Sequence, residues 1–350
     1  MHSHPWSCAR LLAPTIVAAS ASWSETKSVK DRRLAMANGA NASPGLSFSR
    51  ETFAKLTPAP FLHAHLKQNN PIRPNGRSPE EFRQISINSG SLTHSNGSAV
   101  IRCGDTAVVC GVRAEILLAS AIPHSPGDDI ENDDLIEELG LLVPNLEMST
   151  GCSPAHLPGN PPGTLAQSLS YRISSLLHLS NVINPDDLKI QYTEPRTDED
   201  LPDEGPKQVT KAYWTLYIDI LCIALDGNAF DAAWAATIAA FQNTTLPKAW
   251  WDPDREMVVC SPRSAEANSL GLNCLPAAST FAVFSTISDS FVLADPDAFE
   301  EDLADETVTV VVASSKDHRS SLLSVQKGGG AVVGKDLAAK CIRMAEDKRS

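Results

Sequence analysis

Residues 211–225 read KAYWTLYIDILCIAL, and the chain then turns through Asp226-Gly227-Asn228 into AFDAAWAATIAAFQN, residues 229–243. No other stretch restricts the fold as strongly. A nearly continuous apolar run rich in β-branched and aromatic residues predicts a strand buried on both faces. Ala232, Ala233, Ala235, Ala236, Ala239 and Ala240 predict a helix whose small side chains let it lie close against a sheet. A strand-to-helix junction of this kind is a natural anion site, because free N–H groups and the helix dipole point at the turn. Here the first helical turn carries an acid, Asp231. The chemistry of the whole chain turns on whether this junction holds a phosphate or dispenses with one.

The surroundings read as a mixture of strands and helices. SAVIRCGDTAVVCGVRAEI predicts a hairpin turning at Gly104-Asp105. FRQISIN alternates, offering Phe82, Ile85 and Ile87 to a core. LAQSLSYRISSLLHLS, residues 165–180, places Leu165, Leu169, Ile173, Leu176 and Leu177 on one helical face. Pro58 and Pro60 interrupt short helical pieces in 50–68. Further strands are expected at 279–285, 290–294, 307–313 and 321–326, with a last helix at 335–348. The acidic stretch 125–140 and the proline-rich 153–163 read as loops, as does a second acidic insertion at 194–207. Residues 1–48, dominated by Ser, Ala, Asn and Gly, are expected to be disordered, or to precede a translation start at Met36.

Net charge is -13, which argues against a free-standing nucleic-acid binder. Residues 128–138 and 194–207 supply -11 of it, so the total says little about any local surface. No apolar run approaches the roughly 18 residues of a membrane helix, and no membrane partner is expected. The eight cysteines contain no CxxC pair, and most have apolar neighbours, as reduced core thiols do. His63 and His65 are two apart and would point to different sides of a helix, so they make no metal pair. Neither a metal nor another cofactor is expected.

Three segments in order, RPNGRSPEEFR (73–83), GSAVIRCGDTAVVCGV (97–112) and DGNAFDAAWAATIAAF (226–241), resemble the RNase PH family. Asn75 departs from that family's usual Arg-Pro-Asp-Gly-Arg opening. The resemblance spans about 52–348, and the DGNxxDA pattern is similar to that of the non-catalytic ring subunits of the eukaryotic RNA exosome. NPPGTLAQ (160–167) and TFAVF (280–284) narrow it further, toward one such subunit. The resemblance implies an α+β fold over 50–350: two similar halves of mixed sheet flanked by helices in one domain. It also implies a six-membered ring around an RNA channel, serving 3′-end processing of ribosomal RNA and RNA turnover in nucleus, nucleolus and cytoplasm. The neighbours so implied are the related subunits called ribosomal RNA-processing protein 46 and mRNA transport regulator 3, with cap proteins above.

Phosphorolytic relatives need a phosphate cradle, arginines on the RNA backbone and an acid near the leaving oxygen. Where they carry Gly-(Ser/Thr)-Arg, this chain has Asn228, Ala229, Phe230 and Asp231, a degenerate phosphate site. Asn228 is expected to cap the helix, with Asp231 reaching the same free N–H groups. On that reading Asp231→Ala costs about 1 kcal/mol. Residues 151–167 hold no arginine or lysine, and Arg172 reads as a surface pairing residue. The position of the family's catalytic aspartate falls on Thr307; Glu306, one residue away, belongs to the opposite strand face and reads as a solvated acid. No catalytic residue is therefore assigned, the alternative being an active phosphate-dependent 3′–5′ exoribonuclease with a rearranged site. Arg73, Arg77 and Arg83 are candidates for RNA contact, and Trp250 and Trp251 for an interface.

Overall fold

The computed structural model describes residues 49–122, 132–154, 156–157, 163–195, 208–285, 290–314 and 320–349. Residues 1–48 and 196–207, on which two of the expectations above fall, lie outside that set.

Two helices, α1 (Arg50–Leu56) and α2 (Pro58–Leu66), open the described chain. Pro58 and Pro60 both sit in the first turn of α2, where a missing N–H forfeits no helical bond. The first sheet contains β1 (Ile85–Ser89), β2 (Gly97–Cys103), β3 (Thr106–Leu118), β4 (Leu142–Met148), β5 (Lys189–Thr193) and β6 (Gln208–Ala224). Its order is β1-β2-β3-β6-β4, with β5 also on β6; only the β4–β6 pairing is parallel. The expected hairpin is present, turning at Gly104 with φ +59.

Three helices follow from this half: α3 (Asn132–Glu138), α4 (Thr164–Ser180) and α5 (Ala229–Asn243). Two minor ribbons pair β7 (Thr245–Leu246) with β10 (Asn268–Ser269), and β8 (Ala249–Asp252) with β9 (Met257–Cys260). The second sheet is antiparallel in the order β12-β11-β13-β14, from β11 (Leu275–Ser285), β12 (Ser290–Ala294), β13 (Glu306–Ser314) and β14 (Ser320–Gly329). A short α6 (Ala298–Leu303) and the terminal α7 (Lys335–Arg349) complete the α+β architecture.

The alanine-rich helix does what its composition requires. α5 packs on the inner face of the first sheet, among Ala99, Ile101, Val108, Cys110 and Ile220, and shares that core with Ala278 and Val311 of the second sheet. Contact is so close that a Cβ on Gly97 would lie 2.2 Å from Thr244 Oγ1. Trp234, fully buried, donates from Nε1 to the Pro276 carbonyl at 2.9 Å and so joins α5 to β11.

Three expectations fail here. β6 is buried on both faces only through its middle; beyond Tyr217 it alternates, leaving Asp219, Leu221 and Ile223 exposed. Ile85 and Ile87 lie on an edge strand and are 39% and 59% exposed, not core. The described part of the acidic stretch is helical rather than a loop, because Leu135 and Ile136 give α3 an apolar side that becomes buried while Glu137 and Glu138 face out.

Candidate functional site

The turn after β6 is tightly held. Gly227 has φ +71, and a Cβ there would fall 2.4 Å from the Asp297 carbonyl carbon, so only glycine fits. Thr106 Oγ1 accepts from Asp226 N and donates to Gly227 O, both at 3.0 Å. Asn228 follows in the left-handed region, at φ 51.

The expected cap does not form. The Asn228 side chain makes no cap bond to α5; its Nδ2 donates instead to Asp231 Oδ2 at 2.9 Å and Asp295 Oδ1 at 2.7 Å. Asp231, 7% exposed, turns toward the second sheet and accepts from Thr280 N at 2.9 Å and Thr280 Oγ1 at 2.8 Å. It is a staple between α5 and β11. The reason is geometric: left-handed Asn228 aims its amide at two buried carboxylates, which are stronger partners than helix N–H groups.

The carboxylate that does meet the start of α5 comes from α6. Glu301 Oε2 accepts from Asn228 N at 2.8 Å. Burial pushes the Glu301 carboxyl above its usual pKa, against the pull of that bond, and Asp302 and Asp231 push it further. α6 is placed for this by a capping box, in which Asp297 accepts from Glu300 N and Glu300 accepts from Asp297 N.

Arg73, Arg77 and Arg83, the candidate RNA contacts, are spent inside the protein. Arg73 is 1% exposed and donates to Glu300, Pro79 O and Ala294 O. Arg77 bonds Asp295 O at 3.0 Å, with Asp295 Oδ2 at 3.6 Å and Glu300 Oε2 at 3.7 Å. Arg83 grips Asp295 bidentately, Nε to Oδ2 at 2.9 Å and Nη2 to Oδ1 at 2.8 Å, and reaches Asp226 O at 2.8 Å. Burial alone would raise the pKa of Asp295, but the hydrogen bonds and charge of Arg83 outweigh it and hold the carboxyl below the usual range. Burial lowers Arg73 to about 10, Glu300 opposing. The partners of all three guanidiniums, Asp295, Glu300 and Asp226, belong to this chain.

Asn228, Ala229 and Phe230 do line a cavity of about 470 Å³, and Asp231 is not among its lining residues. Leu165, Leu169 and Leu225 make its apolar walls; Ser153, His156, Arg172, Glu301, Asp302 and Thr307 supply polar groups. Ser153 Oγ and His156 Nδ1 are 2.9 Å apart. Arg172 is not a surface pairing residue. Its guanidinium stacks 3.9 Å from the Phe230 ring centre and donates to Gln326 Oε1 and Thr309 Oγ1 at 2.8 and 2.9 Å. Thr307 faces the cavity and Glu306 does not, as the strand alternation requires. Glu306 is nevertheless not solvated: it is 1% exposed, with Lys327 Nζ 2.8 Å away.

Trp250 stands on the β8–β9 ribbon at 43% exposure, while Trp251 is half-buried. Sequence reasoning missed Asp295, Glu301 and Arg172. The Asp-x-x-Glu of 297–300 was the one readable sign that a helix begins beside this turn.

Known proteins resemble the chain along most of its length. Residues 81–247 match the first domain of the 3′ exoribonuclease family and residues 274–348 the second. Exosome complex component rrp43 of Schizosaccharomyces pombe is 38% identical over 87% of this chain and 96% of its own. Exosome complex component Rrp42 of Methanothermobacter thermautotrophicus is 30% identical over 80% and 88%. A chain of the Archaeoglobus fulgidus exosome with RNA bound to the active site superposes with a TM-score of 0.59 at 23% identity, covering 83% of this chain and 96% of that one. An archaeal exosome core chain gives 0.56 at 22%, covering 86% and 98%. At those identities the superpositions speak for the fold.

Proposed function

The chain belongs to the RNase PH-like 3′ exoribonuclease family, and from that membership we propose that it is a non-catalytic subunit of an exosome ring, of the ribosomal RNA-processing protein 43 kind. It completes the ring and helps shape the channel through which RNA passes to nucleases elsewhere. One observation carries the inactivity: a carboxylate, Glu301, occupies the helix start where phosphorolysis needs an anion held. Around it, Thr307 stands in place of the family's acid, Arg172 is engaged by Gln326 and Thr309, and 151–167 offers no arginine or lysine. Phosphate is the nucleophile of this chemistry, so without its cradle the reaction has no attacking group.

The neighbours we propose are ribosomal RNA-processing protein 46 and mRNA transport regulator 3, with cap proteins above. Exposed Trp250 is a candidate contact for one of them. The sister subunit, ribosomal RNA-processing protein 42, shares the DGNxxDA pattern; the 38% identity to an rrp43 component supports the first reading over it. Ribosomal RNA maturation and RNA turnover in nucleus, nucleolus and cytoplasm are the proposed setting.

Incubation with RNA and inorganic phosphate tests the inactivity, on the purified chain and on a ring reconstituted with the other subunits. No nucleoside diphosphate should be released by the chain alone, nor by a ring in which the active sites of the other subunits have been disabled. Phosphate-dependent release by this subunit would establish an active exoribonuclease instead.

A further inference from the structure

Three side chains on the cavity beside Phe230 carry acceptors that lack a donor. Glu301 spends Oε2 on Asn228 N, and among the described residues nothing donates to Oε1. Asp302, which also lines the cavity, is exposed and has no partner among the described residues. Asn228 is 4% exposed, and its Oδ1 is buried without a hydrogen-bond partner. The amide nitrogen of Asn228 is turned to Asp231 and Asp295, neither of which lines the cavity, whereas Asn228 itself does.

The formal charges on the lining are two carboxylates and one guanidinium, that of Arg172. Arg172 does not balance them. Its Nε and Nη2 are used by Gln326 and Thr309. Burial lowers its pKa, and Asp231, which is off the cavity, opposes that together with Glu301. The wall is left with an excess of negative charge. Carboxylates withdrawn from water are costly unless a cation meets them.

Shape and donor chemistry narrow the ligand. Leu165, Leu169 and Leu225 make apolar walls, and about 470 Å³ lies within the range of small-molecule sites, about 300–1,000 Å³. A metal ion is poorly served, since among the described residues no three His, Cys, Asp or Glu side chains converge and a hard divalent cation takes roughly six oxygens. A guanidinium suits the cavity better. It presents five donors in a fixed plane, pairs with carboxylates two bonds at a time, and is more weakly hydrated than an ammonium.

We propose that this cavity binds a small organic cation, an alkylguanidinium whose head donates to Glu301, Asp302 and Asn228 Oδ1 and whose chain lies against Leu165, Leu169 and Leu225. The proposal rests on the reading that the phosphate site is lost, and it goes further: the junction has exchanged the sign of the ligand it selects.

The test is calorimetric titration of the full chain with butylguanidinium, with methylguanidinium, pentanol and inorganic phosphate as separate arms. Butylguanidinium should saturate a single site, about ten-fold or more tighter than methylguanidinium, because its further methylenes are buried. Pentanol and phosphate should show no saturable binding. Glu301→Gln, which keeps an acceptor for Asn228 N, should weaken butylguanidinium about ten-fold, and Asp302→Asn should weaken it measurably. Leu165→Ser should shrink the difference between the two guanidines and leave methylguanidinium unchanged. Circular dichroism and melting establish that each variant is folded; should Glu301→Gln fail to fold, the exposed Asp302→Asn decides. Binding that is unchanged in these two carboxylate variants overturns the proposal, as does pentanol binding as tightly as butylguanidinium. Absence of saturable binding in every arm overturns the proposal alone and leaves the inactive-subunit reading standing. Saturable binding of phosphate, competing with butylguanidinium, overturns both.

Discussion

The cluster around Asp295 and the cavity beside Phe230 lie on two sides of the same turn, and both contain arginines and acids. In the cluster every charge is matched. Arg73, Arg77 and Arg83 converge on Asp295 and Glu300, and Asn228 adds an amide. In the cavity the charges are not matched to each other: Arg172 bonds neutral groups, and Glu301 meets a backbone N–H. An arginine-rich motif therefore says little about function until its partners are known. The motif that looked best suited to RNA is structural, and the arginine that looked incidental lines the only one of the two sites open enough to hold a ligand.

The sharpest way to break this contrast is Asp295→Ala. It leaves Arg83 and Arg77 buried without their carboxylate, and unfolding free energy should fall by about 3–5 kcal/mol in urea titration. A loss under about 1 kcal/mol would mean the cluster is as loosely coupled as the cavity. Asp231→Ala comes next. Removing the acceptor of Thr280 N, Thr280 Oγ1 and Asn228 Nδ2 should cost about 2–3 kcal/mol, more than a helix cap is worth.

Acidity acts with opposite sign on Asp295 and on the two buried glutamates, one of which belongs to the cluster and one to the cavity. The folded pKa of Asp295 lies below its unfolded value near 3.9, so the unfolded chain binds more protons there and stability falls as pH drops below about 4. Glu300 and Glu301, both held high by burial, act oppositely: their protonation favours the folded chain as pH falls toward about 4.3, the ordinary glutamate value. Denaturant midpoints between pH 3 and pH 6 should show the acid-side loss in the native chain and a shallower one in Asp295→Asn. Glu301→Gln is the mildest change. It keeps an acceptor for Asn228 N and removes a buried charge, so stability at pH 7 should hold within about 1 kcal/mol or rise, with the midpoint less dependent on pH above about 4.3.

How far this was legible in the sequence depends on the range of the interactions. Periodicity and turn chemistry located the hairpin at Gly104, the whole of α5 and all four strands of the second sheet, because those signals are local. The apolar run 211–225 was misleading at its end, since Leu221 and Ile223 look like core residues and are not buried by this chain. The junction failed in another way. Asn-x-x-Asp is a sound capping pattern, yet Asn228 and Asp231 are claimed by Asp295 and Thr280, partners at separations of 67 and 49 residues. No window of sequence contains such competitors. The absence of arginine and lysine from 151–167 was readable; the bond from Asn228 N to Glu301, 73 residues away, was not.

The arginine cluster also sets a schedule for synthesis. Arg73 and Arg83 are bonded to residues 222 and 212 positions later in the chain. Both arginines leave the ribosome with the first half of the fold and wait, hydrated, for a carboxylate that has not yet been made. At roughly 5–20 residues per second that interval lasts on the order of ten seconds or more. The first sheet can pair strands in that time, but the contacts under Gly227 close only when Asp295 arrives, so a chain cut short before it lacks the carboxylate that Arg83 grips.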